Sequence, residues 1–494
     1  MPGARATLTT ARTSREPRAA VVAAFGAATC ADWTEPRGAA IRRPILWPSK
    51  TILTSIIVGL IAIAAITALR LQAAEGVVDG LHVQEWSSDK MQQTLPSEDL
   101  QREPLKSLFY LHKQPPALDA VRAFLLLFYD GPPEERLLYL DSAMYVVWAV
   151  LYALLAIIVY LWLRHFLRPG IALGFTALWL AHPGPISIAT LLEGSMLSAL
   201  LTTWFLFELW RLKDGARRIP LGLTLAVVLL VYTRTVFQWY FIPVVGVALW
   251  LSRVQPKLIL ASILTITLLT GPLFLKQRVL FGTTSTSTFA GFHYCGLIWY
   301  RPTAAELAAE NDTLNYHYPA GAIPLSEAYN NEKLVRDNLI YGAICKRRIF
   351  SHPSESFDGI TRSVLQNASD LIRPTSDCVP NYAARLLPWR EPYDWVFSRA
   401  SLLFLFFGSL AVWAAFHRKQ LGSVDFWRKN IPVALCFSYI LAVVLSANRY
   451  GWVEAVRLKI FLEPAVFVLV AWALAVLVRR VRASWLRAPD DYEL

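Results

Sequence analysis

Between Thr51 and Leu69 the chain runs for 19 residues without a charged side chain. At about 1.5 Å of rise per residue, a helix of that length reaches roughly 28 Å, enough to cross the hydrocarbon core of a bilayer. Composition decides how to read it. Of 494 residues, 55% are hydrophobic and only 17% charged, against about 25% charged in ordinary soluble domains. The soluble domains that length alone suggests, at about 150 residues each, would lack the charges to cover their surfaces. The sequence is that of a polytopic membrane protein.

Ten candidate spans follow, at about 51–72, 141–163, 170–187, 192–210, 219–233, 236–252, 257–275, 397–416, 431–447 and 458–478, interrupted at Pro183, Pro185 and the Thr233/Arg234 break. The net charge of +12 would point to nucleic acid in a soluble chain. Its distribution points elsewhere. Arg42, Arg43 and Lys50, then Arg164 and Arg168, Arg211 to Arg218, Arg253 and Lys257, Arg418 to Lys429, and Arg479 to Arg487 fall on one set of faces, whereas the short opposite connections hold essentially Arg234 and Arg449. Cytoplasmic loops carry the excess of Lys and Arg, so both termini are expected in the cytoplasm of a cell (inner) membrane protein, with no nucleic-acid partner.

Residues 1–44, rich in Ala, Arg, Thr and Pro and without periodicity, read as a disordered basic extension, a targeting segment or a misassigned start. Residues 45–275 form an N-terminal transmembrane module that includes an extracytoplasmic loop at 73–140, and 276–396 form a second extracytoplasmic segment. The C-terminal transmembrane helices occupy 397–480 and a cytoplasmic tail 481–494. The stretch Val121–Tyr129 (VRAFLLLFY) is too short to span and too apolar for a free loop, so an interfacial amphipathic helix is expected. Five cysteines without a CxxC exclude a structural zinc site and a disulfide scaffold. Cys295, Cys345 and Cys378 share one loop, enough for one disulfide and a spare thiol, with buried free thiols as the alternative.

Charged groups inside or beside a span are costly and therefore functional candidates. They gather in three places: the first loop, with Glu75, Asp79, Glu85 and Asp89 followed by SLFYLHKQPPALD at 107–119; Glu193 at the outer mouth of the fourth span; and NRYGWVEAVRLKIFLEP at 448–464, where Arg457, Lys459 and Glu463 enter the last span. A carboxylate near the membrane surface can take the proton of an acceptor hydroxyl. Arg and Lys at the same depth can hold a phosphate and stabilise the charge that develops on it as a sugar leaves. A long apolar lipid tail has its place between the spans.

These parts occur in an order that resembles the GT-C superfold of polyprenyl-phosphate-sugar-dependent glycosyltransferases, a group that includes aminoarabinose transferases and protein O-mannosyltransferases. Members carry an acidic motif after the first span, then a Lys/His-Pro-Pro motif leading into an interfacial helix; here stand Asp79 and Glu85, then His112, Lys113 and Gln114 before Pro115-Pro116. Glu193 resembles the second acidic residue of the fourth span, and Thr233-Arg234-Thr235 the basic break between spans five and six. Glu454, Arg457, Lys459, Glu463 and Pro464 fit the C-terminal Glu-x-x-Arg-x-(Arg/Lys)-x-x-x-Glu-Pro pattern. The sequence departs from the family at the acidic pair, which is Asp79-Gly80 with Glu85 six residues on.

The resemblance implies an all-α GT-C-like bundle of about ten transmembrane helices with two long extracytoplasmic loops. It implies an inverting glycosyltransferase of the cell envelope with a polyprenyl-phosphate-linked sugar donor, a glycan, lipid or protein acceptor, and membrane lipid around it. Asp79 or Glu85 is the expected base, Glu193 the second acidic residue, and His112, Lys113, Gln114, Arg234, Arg457, Lys459 and Glu463 the substrate and phosphate contacts. The resemblance fixes no cofactor and leaves a divalent cation as the candidate. Two readings compete: a transporter or lipid flippase, and a catalytically silent GT-C-like scaffold.

Overall fold

The computed structural model describes residues 49–75, 89, 94–182, 189, 192–212, 219–322, 330–371, 402–446 and 452–485; at several helix ends and in parts of the last three helices only the backbone is described. The expected extension at 1–44 and the tail beyond residue 485 lie outside them.

Every regular element among the described residues is helical. The first is α1 (Ser49–Glu75), followed in the loop by α2 (Ser97–Arg102), α3 (Pro104–Tyr110) and α4 (Ala117–Leu126). Then come α5 (Arg136–Arg164), α6 (Pro169–Leu180), α7 (Ser195–Arg211), α8 (Leu221–Thr233), α9 (Phe241–Leu251) and α10 (Pro256–Phe281). The segment after α10 folds as α11 (Ala290–Leu297), α12 (Ala304–Thr313), α13 (Glu332–Ser351) and α14 (Pro353–Leu371), and the chain closes with α15 (Leu402–His417), α16 (Val424–Ser446) and α17 (Trp452–Trp485). Each of the ten apolar stretches contains a helix. Among the described residues, four helices are long and apolar enough to cross a membrane: Lys50–Leu71, Pro133–Arg164, Pro256–Phe281 and Phe461–Arg479. The helices between them, such as α6, α8 and α9, are apolar but shorter.

The bundle is organised around α7. Its side chains from Ser195 to Trp210 are buried on nearly every face, and it packs against α5, α8, α16 and α17. A helix that is apolar all round belongs inside. Small residues on it, Ser195, Ser198, Ala199, Thr202 and Thr203, let neighbours approach closely, as membrane helix interfaces favour. By contrast α1 exposes Ile52, Leu53, Ile56, Ile57, Leu60 and Ile61 and α10 exposes Leu260, Leu264, Leu268 and Leu275. Those surfaces suit lipid. At one end of the bundle Arg479 of α17 donates 2.5 Å to the carbonyl of Phe166, in the basic α5–α6 connection, so Arg164, Arg168 and Arg479 share that end.

The stretch expected at the interface forms α4. Leu118, Asp119, Arg122, Ala123 and Leu126 face inward, while Phe124, Leu127 and Phe128 are exposed, as is Leu105 of α3. Arg122, fully buried, donates to the Leu95 carbonyl at 2.5 Å and to Asp119 at 2.7 Å, and it bonds Asp89 as well. Asp89 in turn accepts from the N–H of Ser97 at 3.0 Å. One guanidinium thus ties the end of the first loop to the helix beneath it.

Beyond α10 the chain turns through Gly282, whose φ of 67° is the left-handed conformation that glycine adopts freely. The segment builds a small core of its own from Cys295, Ile298, Ile340, Ile344 and Cys345. α11 lies so close on α13 that a Cβ at Gly291 would collide with the Asn338 carbonyl. Cys295 and Cys345 form a disulfide, with Cα atoms 5.2 Å apart. Cys378 lies outside the described residues, and Cys436 is a buried free thiol. The bridge closes a loop of 50 residues, which in the chain-entropy view contributes about 4 kcal/mol. Non-reducing peptide mapping is expected to recover the Cys295–Cys345 pair, and Cys345→Ser to lower the unfolding midpoint in detergent; recovery of both thiols as free would contradict this assignment.

Candidate functional site

The α8 helix ends where Thr233 turns its hydroxyl back to the Leu229 carbonyl at 2.6 Å and Arg234 takes an extended conformation, φ −139° and ψ 143°. This break aims the guanidinium across the N-terminal end of α7. There Nη2 donates to Ser195 Oγ at 2.6 Å and Nε to Ser198 Oγ at 3.3 Å, and the group lies over the Phe461 ring of α17, 5.0 Å from its centroid. Ser195 donates its own proton to Glu193. A hydroxyl can do both, since it has one donor and two acceptor lone pairs. Glu193, Arg234 and the start of the apolar part of α17 therefore meet at one place, with Arg234 still partly exposed. On α17, two residues after Phe461, Glu463 is buried and stands 3.5 Å from His182 Nε2, just past the end of α6.

The second cluster is built on the turn before Pro115-Pro116. His112, Lys113 and Gln114 are all buried. His112 Nδ1 lies 3.0 Å from Thr288 Oγ1 and Nε2 3.4 Å from the Tyr318 hydroxyl. The backbone N–H groups of His112 and Lys113 donate to the Asn330 side chain at 3.0 and 3.4 Å. Ser287 donates to the Lys113 carbonyl, and Lys276 of α10 donates 2.7 Å to the Leu111 carbonyl. Burial, helped by the charges of Lys276 and Lys113, holds His112 down at about 3. The ring is neutral, so one nitrogen donates and the other accepts. Burial also brings Lys113 down to about 7, against the opposing pull of Asp119.

The two clusters are linked. Gln238, four residues beyond Arg234, accepts from the N–H of Thr286 at 3.0 Å and donates to its hydroxyl at 3.2 Å, and Thr288, two residues on, donates its N–H to the His112 carbonyl at 2.9 Å. The buried Thr286–Thr288 run thus joins the α8–α9 break to the His112 turn.

Of the residues expected at the site, His112, Lys113 and Gln114 come together, Glu193 meets Arg234, and Glu463 lies beside Phe461 on α17. Asp79 and Glu85 lie outside the described residues. Arg457 and Lys459 lie on the α17 backbone one turn before Phe461 and Glu463, with side chains outside the described residues. Sequence reasoning missed His182, Lys276, Gln238, Thr288 and the Arg122 anchor. A lysine five residues before the end of an apolar helix and a histidine before Pro183 were the available signals. Among the described residues no three His, Cys, Asp or Glu side chains gather as a metal site; a divalent cation needs oxygen ligands, and Asp79 and Glu85 are not among the residues described.

Lys113 and His112 carry a pH signature. The unfolded lysine holds its proton up to the ordinary value of 10.5 while the folded one releases it near 7. The unfolded state then binds more protons between those values, and stability rises with pH across that window. His112, neutral in the fold down to about 3 but titrating at 6.5 when unfolded, has the unfolded state binding more protons between 3 and 6.5, so it removes stability as pH falls through that range. Melting midpoints in detergent are expected to lose the alkaline rise in Lys113→Met and the acid fall in His112→Gln; unchanged pH profiles would contradict the burial of both groups.

Compared with known proteins, the chain matches no protein-family model and no curated protein sequence.

Proposed function

We propose that the chain is an integral membrane glycosyltransferase of the GT-C type, moving a sugar from a polyprenyl-phosphate donor to an acceptor on the extracytoplasmic side. The observation that carries this reading is the meeting of Arg234, Glu193 and the start of the apolar part of α17, at the bundle end where the two long connections attach. A cation seated on two serine hydroxyls and an aromatic face is fixed before any ligand arrives, which is what stabilising a leaving phosphate requires. Arg457 and Lys459, one turn before Phe461 and Glu463, would add positive charge to the same phosphate. The disulfide fits an oxidising compartment for the 276–396 segment, in keeping with the placement of Lys and Arg.

In the reaction, a carboxylate of the first loop, Asp79 or Glu85, takes the proton of an acceptor hydroxyl. The oxygen forms its bond to the anomeric carbon from the face opposite the phosphate, and the bond from that carbon to the phosphate oxygen breaks with its electron pair. The lipid phosphate so formed carries the new charge toward Arg234. Glu193 acts as a positioning group, holding the Ser195 hydroxyl that receives the guanidinium. The Asp89–Arg122–Asp119 tie fixes the end of the loop that supplies the base.

The test is a lipid and glycan comparison of cells with and without the protein, repeated with variants. Removing the cation or the base is expected to cost about 10²–10³-fold or more in transfer. Arg234→Gln, and one of Asp79→Asn or Glu85→Gln, should therefore leave a folded protein without the transferred sugar. Full transfer in all three would overturn the assignment.

A further inference from the structure

A cleft of about 600 Å³ opens between the end of α12, the extended run at 314–322 and the start of α13, within the roughly 300–1,000 Å³ typical of small-molecule sites. The extended run alternates: Leu314, Tyr316 and Tyr318 are half-buried, Asn315 and His317 exposed, as a period of two demands. Tyr316 donates to the Leu280 carbonyl at the end of α10, 3.2 Å away. Tyr318 lines the cleft and at the same time packs edge-on against His112, with ring centroids 6.1 Å apart. The other wall is fastened to the same turn. Asn330, next to the cleft residue Asn331, accepts from the N–H groups of His112 and Lys113 and donates to the Tyr110 carbonyl. One lining residue, Tyr318, and Asn330, the neighbour of another, thus contact residues 112–113 directly.

The chemistry of the lining is balanced. Glu332, Lys333, Arg336 and Asp337, all on the first turns of α13, line the cleft together with Asn331 and Tyr318. Arg336 is shared with Glu332 at 3.8 Å and Lys333 lies within electrostatic reach of Asp337, so the two cations of the lining are matched by two carboxylates, unlike the uncompensated cation a phosphate or lipid headgroup would need. A lining of carboxylates, ammonium, guanidinium and amide offers many donors and many acceptors at once. Such a set matches hydroxyl groups, which both give and take hydrogen bonds, and an aromatic ring beside it offers an apolar face to a pyranose.

We propose that this cleft binds the acceptor, and that the acceptor is a neutral, polyhydroxylated glycan whose reacting end lies toward Tyr318 and His112. The role as acceptor site rests on the glycosyl-transfer reading; the binding chemistry stands without it. The test uses the purified full-length protein in detergent and, as probes, short neutral gluco-, manno-, galacto- and arabino-oligosaccharides beside acidic oligogalacturonates. At least one neutral series is expected to bind saturably, with affinity reduced about tenfold or more in the Lys333→Ala, Asp337→Ala double variant. Lys333 is exposed and Asp337 half-buried, so the variant is expected to keep its melting midpoint, which serves as the check on folding. Absence of neutral binding, tighter binding of the acidic series, or a variant that keeps its affinity would overturn the proposal. Neutral binding in a protein that transfers no sugar would retain the cleft and retire the reaction, while Arg234-dependent transfer with an inert cleft would retire the cleft alone.

Discussion

Hydrocarbon leaves no polar group to be satisfied by solvent, and the architecture follows from that constraint. Backbone groups are paired inside helices, and charged side chains stay in the bundle only where a partner has been provided. The helix α7 makes the point: buried on nearly every face, it carries Ser195 and Ser198 at its N-terminal end, where their hydroxyls receive the guanidinium of Arg234. The packing that buries α7 is therefore the same arrangement that fixes the cation.

The same economy of partners extends into the connections. Lys276 caps the Leu111 carbonyl, Asn330 holds the N–H groups of His112 and Lys113, and Arg122 ties Asp89 to Asp119. Groups held this way do not need to reorganise when charge develops beside them, which is the electrostatic advantage an enclosed site has over water. Burial has a further consequence at His112 and Lys113. It keeps the imidazole neutral and lets the lysine titrate near 7, so an arriving anion would draw a proton onto Lys113.

What the sequence disclosed was local. An uninterrupted apolar run is a signal carried by neighbouring residues, and each of the ten apolar stretches contains a helix. Val121–Tyr129 reads as a helix with one apolar face, and its first six residues do lie on α4, which buries Arg122 and Leu126 while exposing Phe124. Glu193 and Arg234 stood out because a charge beside a span is out of place. The partners of these residues were not legible. His182 meets Glu463, Asn330 meets His112, and Thr288 meets His112 across long separations in the chain, and no periodicity or spacing encodes such pairings. The choice of Cys345 as the partner of Cys295 was closed to the sequence for the same reason, with three cysteines in one segment.

The central claim is that the bundle end formed by Arg234, Glu193 and α17 handles a lipid phosphate that leaves a sugar. It is tested most directly by reconstituting the purified protein in liposomes containing labelled polyprenyl-phosphate sugars and measuring release of free polyprenyl phosphate. The proposed reaction predicts release that requires the donor in the leaflet on the side of the 276–396 segment and that is lost with Arg234→Gln. Release that is indifferent to Arg234, or movement of the intact donor between leaflets with its sugar still attached, would contradict it.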